Sequence, residues 1–306
     1  MIEVIDGGAW TTVQDQGRPG FERFGISPGG ACDRFSAAAG NLLVGNGEEA
    51  AVLECTVKGP RLRFETASLI AVTGAGSRIE GWRSLEVRAG EVVDLGLLKP
   101  GIRSYIAVRG GIDVPPVLGS RSFCQLGRFG GGFGRPLRAG DWLAIGDSSG
   151  PLPPKKAWPV SHRTQLSGPW EIPVIPGPQV DAFPGSTLER LLDTAFRVSS
   201  STDRMGMRLE GRGLRLDPPQ VLTTPVVAGA IQVTDPQQLI VLMPEHQPTG
   251  GYPVIACVIE AAIPLLAQAR PGDTIHFRKT SLREAARARS RLDGWLGRER
   301  PSLGEN

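Results

Sequence analysis

The residues of this 306-residue chain best equipped for chemistry lie between Pro244 and Gly251. The stretch carries a carboxylate (Glu245), an imidazole (His246), an amide (Gln247) and a hydroxyl (Thr249), and Tyr252 follows directly. A histidine beside a carboxylate is suited to general acid or base work near neutral pH. The Gly250-Gly251 pair leaves the backbone free to approach a ligand. The competing reading is a structural loop with His246 exposed.

Three other runs combine polar groups in ways a small amide or carboxylate substrate would require. Residues 11–20, TTVQDQGRPG, place Gln14, Asp15 and Arg18 around glycines, with donors to hold a substrate and a carboxylate to move a proton. A hydrogen-bonded turn explains the same residues equally well. Asp33-Arg34 and Asp203-Arg204 are Asp-Arg pairs near Ser- or Gly-rich loops. An arginine steadied by a neighbouring carboxylate can be aimed at an anion, or can simply brace a loop. Residues 129–134, FGGGFG, flanked by Arg128 and Arg135, suit either an anion-binding nest or a flexible hairpin tip.

Standard signatures are missing. There is no GxxxxGK[ST] phosphate loop, no complete dinucleotide fingerprint and no GxSxG nucleophile motif. His162, His246 and His276 have no metal-binding spacing, so no resident metal is expected. Cys32, Cys55, Cys124 and Cys257 are far apart, which fits a reducing compartment. The first residues lack the basic and apolar regions of a signal peptide, and no segment approaches a membrane span. The net charge of +3 is small and its basic surplus sits near the end, from Arg278 to Arg300. The expectation is a cytoplasmic protein with no membrane or nucleic-acid partner.

The elements that must position these groups are mostly strands. High glycine (41) and proline (26) usage favours turns and short strands over long helices. Strand patterns occupy 68–73, 84–87, 91–95, 103–108 and 142–145, then 172–175, 230–233, 239–243 and 274–277. One helix is expected over 33–44, ended by Gly45, and another from Ser186 with Glu189 completing a capping box. A helical stretch is expected after Tyr252, interrupted at Pro264. The tail from Ser281 opens with a second capping box, Ser281 and Glu284, and reads as a docking helix with a solvated arginine face. A Pro-rich stretch over 151–160 divides a domain at 1–150 from one at 161–280, with the helix and tail at 281–306. The fold class is mainly β with a few helices.

Several runs together resemble one family: TTVQDQGRPG, GGACDRFSAAAGNLLVGN, LECTVKGPRLRF, SYIAVRGGIDVPPVLGSRS, STDRMGMRLEG, GAIQV and PTGGYP. They resemble the allophanate hydrolase subunit 2 family, also called biotin-dependent carboxyltransferase-like proteins, and the likeness covers about residues 4–280. The family includes the C-type subunit of prokaryotic ATP-dependent 5-oxoprolinase and the carboxyltransferase region of urea carboxylase.

The resemblance implies two cyclophilin-like β-barrels and a subunit of an ATP-dependent lactam hydrolase that opens 5-oxoproline to glutamate. It implies ATP with magnesium as its counter-ion, a subunit 1 or B-type partner and a third hydrolase component. Asp33, Asp203, Glu245 and His246 are then the candidate catalytic residues. Gln14, Asp15, Arg18, Arg34, Arg204, Gln232, Gly250, Gly251 and Tyr252 are the candidate substrate or nucleotide contacts. Two alternatives stand beside it. One is carboxyl transfer with biotin carried by a partner, and the other is a non-catalytic regulator that binds a kinase-inhibitor-like partner. The family loop usually reads Asp-Arg-Gln-Thr-Thr before Gly-Gly-Tyr-Pro. Here it is Glu245-His246-Gln247-Pro248-Thr249, which replaces a permanent cation with an imidazole.

Overall fold

The computed structural model describes residues 1–150, 153, 157–211, 216, 219–236 and 238–297. In the N-terminal half two five-stranded sheets face each other. The first runs, in spatial order, Val92–Asp94, Arg61–Phe64, Ile2–Asp6, Trp142–Ile145, Ile112–Asp113. The second runs Trp10–Gln14, Val52–Thr56, Arg103–Val108, Ser68–Gly74, Ser84–Val87. Side-chain alternation explains the layering. Leu62 and Phe64 point into the core while Arg61 and Arg63 face solvent.

The second sheet is covered on both sides. Leu53, Cys55, Ile70, Val72, Ile106 and Val108 join the core between the sheets. Their alternates Val52, Ala71, Tyr105 and Ala107 pack against helix α1, Arg34–Leu43. Alanines and Gly40 allow α1 to lie close on the sheet, since a Cβ on Gly40 would come 3.1 Å from Thr73 Oγ1. Asp33 caps α1 by accepting from Ser36 N at 2.8 Å, and Gly45 ends it with φ 78°.

The C-terminal half is a closed seven-stranded barrel. Around it run Trp170–Pro176, Val254–Val258, Ala230–Asp235, Gln238–Leu242, Gly206–Gly211, Ala195–Val198 and Thr274–Lys279. Closure comes from the parallel pairing of Trp170–Pro176 with Thr274–Lys279. Helix α2 (Thr187–Asp193) and helix α3 (Ile263–Gln268) flank the barrel, and helix α4 (Leu282–Trp295) ends the described chain. Cys32, from the N-terminal half, belongs to the barrel's own apolar cluster, so the two halves share packing.

The mainly-β architecture is as expected, and the strands at 84–87, 103–108 and 142–145 lie where the pattern places them. Four details differ. Ser186 precedes α2 but its side chain makes no cap bond, because its backbone (φ −95°, ψ 11°) is already turned away from the extended cap geometry. The segment after Tyr252 is the strand Val254–Val258, whose β-branched residues fill the barrel wall, and the helix begins only at Ile263. Pro264 therefore starts α3 rather than interrupting it, a position where its missing N–H costs nothing. Much of the stretch 151–160 lies outside the described residues. Ala157 and Trp158 return to the N-terminal half instead of remaining free, with Trp158 N donating to Trp82 O at 2.7 Å.

Gly30 lies where the halves meet. Its φ is +88°, and an added Cβ would sit 2.8 Å from both Gln16 C and Gly17 N. We predict that Gly30→Ala destabilises the protein by about 1–3 kcal/mol in urea unfolding, from left-handed strain plus overpacking. An unchanged midpoint would refute this packing.

Candidate functional site

The seam between the halves is built around buried ionised groups. Arg204 leaves the turn before Gly206–Gly211 and is 3% exposed. Its Nε donates to Glu245 Oε2 at 2.9 Å, its Nη1 to Glu54 Oε1 and to Cys32 Sγ (3.2 Å), and its Nη2 to Gly30 O at 2.7 Å. Glu54 is equally occupied, since its Oε2 accepts from Cys32 N (2.7 Å) and from Tyr105 Oη (2.9 Å). Glu245 Oε1 accepts from Gln125 N. Burial alone would raise the Glu54 carboxyl, but Arg204 and Arg103 outweigh it and hold it below its ordinary value. Burial pushes the Cys32 thiol the other way, up to about 11 despite Arg204.

A second polar bridge lies beside the first. Gln268, at the end of α3, donates from Nε2 to Asp33 Oδ2 at 2.9 Å and accepts from Arg103 N at 3.2 Å. Arg103 Nη1 donates to Ala267 O at 2.7 Å. Asp33 also accepts from Ser36 N and Ser36 Oγ, and Ser36 Oγ lies 3.1 Å from Thr164 Oγ1. Full burial raises the Asp33 carboxyl above its ordinary range although these donors favour its charge.

Next to the seam opens a cleft of about 770 Å³. Cys32, Arg34 and Phe35 line one side, Ile259 and Ile263 another, and α4 a third. Arg34, an exposed residue, spends one bond, Nη2 to Gly29 O at 3.1 Å, and has no ion pair among the described residues. Of the two arginines that line the cleft, Arg34 is the one with no carboxylate partner among the described residues.

The comparisons with known proteins agree with this architecture. A family model described as "Carboxyltransferase domain, subdomain A and B" matches residues 24–279. The 5-oxoprolinase C-type subunit of Escherichia coli (strain K12) is 41% identical over 298 residues, covering 94% of this chain and 94% of that protein. Its Haemophilus influenzae counterpart is 35% identical, covering 100% of this chain and 99% of that protein. The crystal structure of the K. lactis urea amidolyase superposes with TM-score 0.87 at 33% identity. It covers all of this chain but only 20% of that much longer one.

The chain belongs to the carboxyltransferase A and B subdomain family.

Within this carboxyltransferase fold, the predicted site residues separate into distinct places. Arg204 and Glu245 meet at the seam, and Asp33 and Arg34 lie beside them. Arg204 is held by Glu54 and Glu245 and makes no bond to Asp203, which is exposed and accepts from Met205 N and Gly206 N as a turn brace. Four of its five N–H donors are committed and the side chain is buried, which closes Arg204 to phosphate. Asp15 is likewise a structural anchor. Its oxygens accept from Ser120 Oγ, Ser122 Oγ, Arg121 N and Gly17 N. Gln14 donates to Thr12 Oγ1 and Phe123 O.

Arg18 is 1% exposed, donates to Ser122 O and stacks 5.0 Å from the centre of the Phe129 ring. His246 is buried rather than exposed, with Nδ1 2.7 Å from Gln247 O, and burial disfavours its charged form. Gln232, Gly250 and Tyr252 form a separate group. A Cβ on Gly250 would come 2.6 Å from Gln232 Nε2, and Gln232 donates to Tyr252 O at 3.4 Å. Arg135, beside the glycine-rich loop, is paired bidentately with Asp141 and so is not free for an anion.

Sequence reasoning missed Glu54, Arg103, Tyr105 and Gln268. The signal was there for the first three: Glu54 interrupts an apolar strand run, and Arg103 and Tyr105 lie on one face of a strand buried throughout. A buried strand tolerates an arginine only when a carboxylate opposes it. Glu54 and Tyr105 are also direct cross-strand partners.

Arg204→Met strands two buried carboxylates and should cost about 3–5 kcal/mol in stability. Combined with Glu54→Gln it should cost clearly less than the sum of the single changes, and strict additivity in the double-mutant cycle would dismiss the coupling. Stability should also depend on pH. The folded-state pKa values of Glu54 and His246 both lie below their ordinary values of 4.5 and 6.5. Their stabilisation is therefore complete above those values and is lost as pH falls through the folded ones. Asp33, raised by burial, acts in the opposite sense. Urea titrations should show stability declining below pH 6.5, with His246→Asn removing the upper part of that decline. A decline identical in the variant would show that His246 does not contribute.

Proposed function

We propose that this chain is the C-type subunit of an ATP-dependent 5-oxoprolinase, active in complex with a subunit 1 or B-type partner and a third hydrolase component. The observation that carries the reading is sequence identity. The chain is 41% identical to the E. coli 5-oxoprolinase C-type subunit and 33% identical to the matching part of the Lachancea kluyveri urea amidolyase.

The reaction joins 5-oxoproline, ATP and water to give glutamate, ADP and phosphate. A lactam amide is a poor electrophile, and phosphoryl transfer to its oxygen would make ring opening by water feasible. Arg204 is buried within the seam and Arg34 is taken by the substrate acid, so the reading assigns the nucleotide to another component of the assembly. Under the carboxyl-transfer alternative, biotin would be carried by a partner.

This chain's part in the reaction is then to present the acid substrate. Arg34 is the free guanidinium at the cleft, and it sits at the start of α1, where the helix N-terminus favours negative charge. Asp33 caps that helix, and its bond to Gln268 fixes the helix against α3. It thereby acts as a positioning residue for Arg34.

The test is reconstitution. Mixed with purified B-type and third components, the chain should support ATP hydrolysis that depends on 5-oxoproline. Arg34→Gln should raise KM for 5-oxoproline at least about tenfold with a smaller effect on kcat, as expected for loss of a charge-assisted contact made in both ground and transition states. Turnover that proceeds equally without this chain would end the proposal. Labelled carboxyl transfer from carboxybiotin in place of ATP-coupled turnover would establish the alternative.

A further inference from the structure

The cleft beside Arg34 has far more room than a five-membered lactam needs. About 770 Å³ falls within the range that encloses drug-sized molecules, and its walls are mainly hydrocarbon. Phe35, Ile259, Ile263 and Leu292 line it, together with Ala285 and Ala286 of α4. The wall supplied by α4 lies outside residues 24–279, the span that the family model matches.

That wall is securely built. Ser281 and Glu284 form a full capping box at the start of α4. At its other end Trp295 stacks on His162 with ring centres 4.8 Å apart and meets Phe35 edge-on at 5.9 Å. Arg289, midway along, pairs with Glu260 and with Asp293 on its own helix. Its charge is thereby compensated.

Arg34 is not compensated in this way, and burial, with a lesser contribution from Arg289, disfavours its charge. Two cations therefore line the same apolar cleft, and among the described residues only Arg289 has carboxylate partners. An anion entering there gains a charge-assisted contact and relieves the repulsion, while its body displaces water from hydrocarbon walls.

We propose that the cleft beneath α4 binds monocarboxylates that carry an extended apolar body, with the carboxylate on Arg34 and the hydrocarbon against α4 and Ile259–Ile263. The proposal deepens the reading of Arg34 as the anion anchor by widening the class of acids it accepts. It requires neither ATP nor a partner.

The experiment is calorimetric titration of the full chain, alone, with octanoate, octan-1-ol and octylamine. Octanoate should bind at one site, at least about tenfold tighter than octan-1-ol, with octylamine weakest. Arg34→Gln should reduce octanoate to the level of the alcohol, while Ala286→Trp, which fills the cleft, should weaken both. Thermal melts of each variant establish that it is folded. Equal affinity for octanoate and octan-1-ol, no saturable binding, or octanoate affinity unchanged in either folded variant would overturn the proposal. Because no nucleotide or partner is present, such a failure leaves the lactam-hydrolase reading untouched. Absent turnover in the reconstituted system likewise leaves a positive binding result standing.

Discussion

Burying Arg204 imposes the main constraint on this molecule. An arginine removed from water must find acceptors for its guanidinium and a countercharge close by, or the desolvation cost is prohibitive. The barrel supplies one carboxylate, Glu245, and the N-terminal sheet supplies the other, Glu54. The backbone carbonyl of Gly30 takes a further donor. Neither half can satisfy this group by itself. Separating the halves would leave Glu54, Glu245 and Arg204 exposed to different partners or to none.

The relative placement of the site's parts follows from that constraint. The loop Pro28–Gly30 is held against Pro244 by Gly29 N donating to Pro244 O at 3.0 Å, and against Arg204 through Gly30 O. Asp33 and Arg34 come next in the chain, so the N-terminus of α1 is fixed relative to the barrel. Gln268 locks the same point from α3. Arg34, one residue past the cap, projects from a rigid platform into the cleft. Preorganisation of this kind reduces the cost of ordering a donor when an anion arrives.

Part of this design was legible beforehand. Alternation and turn chemistry located most barrel strands, and the shared apolar face of Phe35, Ala38, Ala39, Leu42 and Leu43, ended by Gly45, marked α1 as a helix. The polar loop at 244–251 stood out in the sequence, with a catalytic and a structural reading side by side, but its burial was not visible there. Glu245 and His246 are polar residues that the fold buries, and Glu245 serves as a structural counter-ion. A loop rich in acid, imidazole and amide groups reads as solvent-facing until its partner is known, because local sequence carries no information about what will cover it. Glu54 illustrates the converse. A lone carboxylate in an apolar strand implies a buried cation, but not which of the chain's many arginines provides it.

The sequence by itself determined the strand-rich class, the family, the helix that begins near Asp33 and the capping box at Ser281. Those features depend on periodicity and on contacts within a few residues. Only the tertiary structure decided that Arg204 joins the halves, that Asp203 braces a turn, and that Arg34 keeps donors free beside a cleft. These outcomes depend on pairings across 150 residues for Arg204 with Glu54 and 235 for Gln268 with Asp33. Which charges meet at such separations is fixed by how the sheets and barrel pack, and no local pattern encodes it.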